Sequence, residues 1–231
     1  MLCLGFTATG IAQQNNDQLK QRIVAQAQSL SPDDYAFTRT TTSKATFVGK
    51  TTKVLSVERF DPTKPVDSRW TLVSVNGAPP SAAALRKYRK AAAKRRVVPG
   101  YHRIAKYFGA PADVDSDADG KKVLRFDELP KGSVSIDGTD LSRIASAEAS
   151  VIDTGGAPLV EQVRFTLTPK RRKLIAGVDR YETTFRYRIG ADGKPLLAAT
   201  TSDLLGSGLG IEATMHTAAT YSDYQPVRNS H

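Results

Sequence analysis

Strict two-residue alternation is the feature that most limits what this chain can become. In RYETTFRYRI (180–189), Tyr181, Thr183, Phe185, Tyr187 and Ile189 share one side of an extended chain. Arg180, Glu182, Thr184, Arg186 and Arg188 share the other, because successive strand side chains point to opposite faces. PLVEQVRFTLTP (158–169) sets Val163, Phe165 and Leu167 against Gln162, Arg164 and Thr166. IEATMHTAATYSDY (211–224) sets Ile211, Ala213, Met215, Thr217 and Ala219 against Glu212, Thr214 and His216. Gly155-Gly156, Ala191-Asp192-Gly193-Lys194 and Gly206–Gly210 punctuate these runs, and short glycine turns join antiparallel neighbours. A sheet with one apolar and one charged face must be covered on one side only.

Further strand patterns occupy 35–42, 45–60, 69–75, 101–108, 121–128 and 145–153. Two helices are expected. The first starts at Asn16 or Asp17 and carries Leu19, Ile23, Ala27 and Leu30 on one side. The second is SAAALRKYRKAAAKRR (81–96), with Ser81 as N-cap after Pro79-Pro80, ending at Val97-Val98-Pro99-Gly100. So few helices against so many strands predict a mainly β (α+β) chain. Its architecture is a highly curved antiparallel sheet, an incomplete β-barrel, with two or three helices over the concave face. No internal boundary or repeat divides it, so residues 13–231 are read as one domain.

The excess positive charge, +10 overall, is local. Residues 81–106 hold nine Lys/Arg and no Asp/Glu, whereas the flanking regions nearly balance. On the second helix, Leu85, Tyr88 and Ala92 make one narrow apolar stripe and the remaining surface is basic. Arg86, Lys87, Arg89, Lys90, Lys94, Arg95 and Arg96 suit anionic lipid head groups or an acidic protein partner. They equally suit a solvated helix face. Nucleic acid is not expected, because no recognition motif accompanies the charge.

Residues 1–12, MLCLGFTATGIA, are uncharged and apolar, with Gly10 and Ala12 before a polar QQNND. They read as the apolar region and cleavage site of a secretory signal without its positive leader, which places the protein in the periplasm. The only cysteine, Cys3, falls inside that segment, so the expected mature chain has neither disulfide nor thiol chemistry. No apolar run is long enough for a spanning helix.

Chemistry-bearing motifs are sparse. Asp115, Asp117, Asp119 and Gly120 match the first half of a calcium loop, but its twelfth position is Phe126 instead of a bidentate glutamate. An acidic hairpin turn reads the same residues. GSGLG (206–210) lacks the strand–turn–helix setting of a dinucleotide site. His102, His216 and His231 have no metal-ligand spacing. Glu58, Asp61, Glu161 and Glu182 read as solvent-face charges on strands. No nucleophile–base pair emerges, so neither enzyme activity nor a cofactor is expected. The apolar strand faces remain. Trp70, Leu72, Val163, Phe165, Leu167, Phe185, Tyr187 and Met215 either fill a core or line a cavity for acyl chains.

Two resemblances bear on this choice. Arg59-Phe60-Asp61-Pro62, Arg69-Trp70-Thr71-Leu72 and Val75-Asn76-Gly77-Ala78-Pro79-Pro80 resemble a block found in uncharacterised secreted proteobacterial proteins, where it precedes a charged helix. The C-terminal run, with a strand ending at Pro169, RYETTFRYRIGADGKPLL and a last strand ending Tyr221-Ser222-Asp223-Tyr224, is similar to the LolA/LolB-like lipoprotein-carrier superfamily. That likeness implies a helix-closed half-barrel whose cavity carries lipid or lipoprotein acyl chains across the periplasm without a cofactor. The expected function is such a carrier. The alternative is an interaction or envelope-sensing module that uses the basic helix 81–97.

Overall fold

A computed structural model describes residues 8–92, 97–108, 112–116, 121–136, 139–152, 157–167, 178–208 and 211–227. Ten strands form one open antiparallel sheet. In spatial order they are β3 (Trp70–Val75), β2 (Lys50–Phe60), β1 (Tyr35–Phe47), β12 (Ile211–Pro226), β11 (Pro195–Gly208), β10 (Arg180–Ile189), β9 (Leu159–Leu167), β8 (Ala145–Ile152), β5 (Lys122–Phe126) and β4 (Asp113–Ser116). A separate two-residue pair joins β6 (Ser135–Ile136) to β7 (Thr139–Asp140). The expected fold class is therefore the observed one. Register shifts at Ala36/Thr38, Val57/Glu58, Ser150/Val151 and Arg186/Tyr187 act as bulges, and bulges sharpen local twist and bending.

One face is covered. α1 (Ala8–Gln28) presents Leu19, Ile23 and Ala27, four residues apart, to the core, since that spacing stacks side chains on one side of a helix. A 3-10 turn at Tyr101–Arg103 and the short helix α3 (Ile104–Tyr107) add Tyr101, Ile104, Tyr107 and Phe108. Beneath them β8 offers only alanines at 145, 147 and 149, all buried. Those small side chains leave room for the rings, and Tyr107 meets Phe165 at 4.8 Å and Phe108 meets Phe126 at 4.9 Å between centroids. The opposite face is held by cross-strand charge pairs such as Arg164–Glu182 at 2.8 Å.

Three sequence expectations fail here. Residues 101–108 are helical, not a strand. Tyr101, Ile104 and Tyr107/Phe108 recur every three or four residues, so the helical period is present and burial chooses it over alternation. Residues 45–60 are also not one strand. Val48-Gly49 turns the chain back, and β1 and β2 form a hairpin in register from Phe47↔Lys50 to Phe37↔Phe60. The first helix begins at Ala8, earlier than Asn16, and runs through the expected boundary at Ala12.

Candidate ligand recess

The concave face is not filled everywhere. Between the helical cover and strands β1, β10, β11 and β12 lies a partly open recess of about 430 Å³. Its position follows from register. Arg39 lies opposite both Glu58 and Tyr221, Phe60 lies opposite Trp70, and Phe185 opposite Thr200 and Val163, and directly opposed residues share a face.

One wall is an aromatic cluster. Phe37 packs on Phe60, Trp70, Tyr221 and Tyr224 with centroids 5.0, 5.6, 5.8 and 5.3 Å away. The Arg39 guanidinium sits 4.2 Å above the Trp70 ring centre, a cation–π contact. Its Nε donates to Glu58 Oε2 at 2.8 Å, and Nη2 lies 2.7 Å from the same oxygen as an ion pair. Burial pulls the Arg39 guanidinium down, but the Glu58 carboxylate and Tyr221 outweigh it and hold the group above its ordinary value. Arg39 therefore faces the recess already neutralised by its partner.

The other wall differs. Tyr107, Phe165, Tyr181 and Phe185 supply rings, with Phe165 and Phe185 edge-to-face at 5.9 Å. Arg103 also lines the space, and its Nε donates to Tyr107 Oη at 3.0 Å. Among the described residues, no carboxylate pairs with Arg103. Hydroxyls of Ser133, Ser135, Thr183 and Thr200 are at the same walls. The chemistry is that of an aromatic slot bordered by a cation, Arg103, that has no carboxylate among the described residues.

Of the eight residues expected to line a cavity, Trp70, Phe165 and Phe185 do. Leu72, Val163, Leu167 and Tyr187 are buried in the core instead, with Tyr187 edge-on to Tyr101 at 5.2 Å. Met215 shares the concave face but is 43% exposed beyond the recess, opposite Ala45 and Leu204. Reasoning from pattern missed Arg39, Arg103, Tyr107, Tyr181 and Tyr221. Arg39 follows Phe37 by two and Tyr181 precedes Phe185 by four, so alternation already put both on the apolar face. Glu58 is a correction of the same kind. It is only 4% exposed, because it shares its face with Phe60.

The basic helix α2 (Ala82–Ala92) forms as expected, and Ser81 Oγ accepts from the Ala84 N–H at 3.2 Å. Arg86, Lys87, Arg89 and Lys90 are exposed on it. Lys94, Arg95 and Arg96 lie outside the described residues. α2 packs chiefly against the edge strand β3, not across the sheet, yet Val97 and Pro99 beyond it border the recess. Asp115 is on β4 and pairs with Arg125, so the half-matched calcium stretch joins two paired strands. Asp117 and Asp119 lie outside the described residues. Among the described residues no three potential metal ligands cluster, and no helix is long and apolar enough to cross a membrane. No protein-family model, curated protein or solved structure matches the chain.

Proposed function

We propose that this chain is a non-catalytic binding protein that holds the acyl chain of a lipid or lipoprotein in the concave recess. The supporting observation is the slot itself: about 430 Å³ walled by Trp70, Tyr107, Phe165, Tyr181 and Phe185, with Arg103, which meets no carboxylate among the described residues, at its side. That volume is within the usual range for small-molecule sites. It suits a single hydrocarbon tail. About eight buried methylenes contribute about 6 kcal/mol, and a guanidinium–anion contact adds to that before association costs are subtracted. Arg103 then meets a carboxylate or phosphate head, while Arg39 stays with Glu58. Under the same reading, residues 1–12 are a secretion signal and the carrier works in the periplasm, as its likeness to lipoprotein carriers implies.

Trp70 is the chain's only tryptophan, so occupancy can be read from its emission. Titrating the purified, delipidated chain with a medium-chain fatty acid is expected to shift that emission saturably. Phe185→Glu, which puts a like charge in the slot, removes the response. Lipid extraction and mass spectrometry of the undelipidated protein should find a single-chain acid or phosphate amphiphile. Flat emission together with a lipid-free extract refutes the reading.

An interaction module built on α2 is the second reading. It is favoured by Arg86, Lys87, Arg89 and Lys90 standing exposed on a helix that rests mainly on one edge strand. It requires salt-sensitive capture of an acidic protein that vanishes when those four are neutralised.

A further inference from the structure

The β1–β2 hairpin ends in Phe47-Val48-Gly49-Lys50. Val48 has φ 49° and Gly49 φ 71°, the left-handed pair of a two-residue type I′ turn. Asparagine or aspartate normally precedes the glycine there, because a β-branched side chain crowds the backbone in that region. The same chain shows the ordinary solution at Asn76-Gly77, with φ 51° and 79°. There Asn76 Oδ1 also accepts the Leu55 N–H at 2.9 Å. Val48 gains nothing by burial in return, since it is 61% exposed and Phe47 is 59% exposed.

The neighbouring hairpin adds to this apex. Ala213 lies opposite Phe47, and β12 begins two residues earlier at Ile211, which is 39% exposed. Cations surround it. Lys44 and Lys53 are directly opposite one another, Lys50 faces Phe47, and His216 is the next residue across from Lys44. Facing like charges weaken a ladder. No ion pair to Lys44, Lys50 or Lys53 is formed among the described residues. Of the nearby acids, Asp203 is engaged by His216 at 2.7 Å, and Glu212 is exposed beside Ile211. Two concessions in backbone stability thus coincide at one exposed, apolar, basic point.

We propose that this double-hairpin apex docks the protein on an anionic phospholipid surface. Phe47, Val48 and Ile211 enter the interfacial layer, while Lys44, Lys50 and Lys53 pair with head-group phosphates. Three apolar side chains are too few for the core of a stable protein interface, and nucleic acid offers no reward for an aliphatic tip. The apex is eight strand residues from Arg39, about 27 Å at the antiparallel rise. It stands independently of what the recess holds.

The test is flotation of the full chain with phosphatidylglycerol–phosphatidylcholine vesicles, against pure phosphatidylcholine. The wild type floats with the anionic vesicles only. Replacing Lys44 and Lys53 by glutamine lowers partitioning about thirtyfold at low salt. Phe47→Ser with Val48→Asn lowers it at least tenfold, roughly. Val48→Asn alone both weakens flotation and raises the melting temperature, which a merely structural valine would not do. Four results overturn the proposal: no flotation of the wild type, equal flotation with neutral vesicles, full flotation of the Phe47/Val48 variant, or a Val48→Asn variant that melts lower. Sedimentation showing that the apex instead joins two copies of the chain, with vesicle binding absent, also overturns it.

Discussion

Removing the Glu58 carboxylate tests how the recess wall is held. Glu58 Oε2 accepts a hydrogen bond from Arg39 Nε and ion-pairs with its Nη2; the Arg39 side chain is 17% exposed and its guanidinium is stacked on Trp70. Glu58→Ala leaves that cation without its carboxylate, held only by the Trp70 ring and Tyr221. Truncating one member of a buried pair costs about 3–5 kcal/mol. Arg39 borders the open recess and can recruit water there, so the lower end, about 3 kcal/mol, applies. In a chain of this length each kcal/mol moves the melting point by about 2–4 °C, so the variant should melt about 6–12 °C below wild type. Arg39→Met with Glu58→Met should recover most of the loss, because an apolar pair of similar volume avoids both desolvation costs. Circular dichroism melts at neutral pH of wild type, Arg39→Met, Glu58→Met and the double variant give the coupling directly. Glu58→Gln removes the counter-charge of Arg39 in the slot, so binding of an anionic amphiphile should tighten while binding of a neutral one does not. A Glu58→Ala variant melting within about 2 °C of wild type would show the pair to be a solvated contact and refute the argument.

Two pH effects follow from a buried and a half-buried ring near the recess. Burial, offset in part by the hydrogen bond from the Val160 N–H at 3.0 Å, pushes the Tyr101 hydroxyl up to about 12. Its folded value is above its unfolded one, so the stability it contributes is intact below about pH 10 and is lost as pH rises toward 12. Urea midpoints across that window should fall, and Tyr101→Phe should flatten the slope while costing about 1–2 kcal/mol for the stranded Val160 N–H; an unchanged slope contradicts it. His102 is shifted the other way, down, by burial first and by Arg103 second. Stability from neutral His102 is present above its unfolded value near 6.5 and lost as pH falls through the depressed one. Its ring protons in an NMR titration should therefore show a midpoint below 6.5, moving up in Arg103→Met, and a midpoint above 6.5 rules the account out.

How much of this was legible in the sequence depended on whether the information was local. Alternation over 158–169 and 180–189 is a property of consecutive residues, and the sheet keeps it: Val163, Phe165 and Leu167 are buried while Arg164 is exposed. The helical run 101–108 was hidden because eight residues are too short a window for a period of 3.6 to stand out against one of two, although Tyr101, Ile104 and Phe108 keep the helical spacing. Only the covering of β8's alanines decides between them. The hairpin turn at Val48-Gly49 was hidden for a different reason. Turn chemistry is read from residues that suit the turn, and Val48 does not. A local rule broken at an exposed site is where function overrides folding preference.

The recess was legible only as a shortage. Few helices were expected against many strands, and the described residues hold three helices beside a ten-stranded sheet. Which residues border the uncovered space is set by where the cover stops, and this depends on contacts between distant segments. Tyr101 is the clearest case. Its hydroxyl accepts from Val160 and donates to Gln26 Oε1 at 3.1 Å, tying the 3-10 turn to both β9 and α1. That tie fixes Tyr107 against Phe165 and leaves Arg103, one turn earlier, at the edge of the cover. A cation there has no carboxylate among the described residues because the cover ends before one arrives. The same geometry that leaves the slot open thus leaves it with a charge, and a ligand with an apolar tail and an acidic head answers both at once.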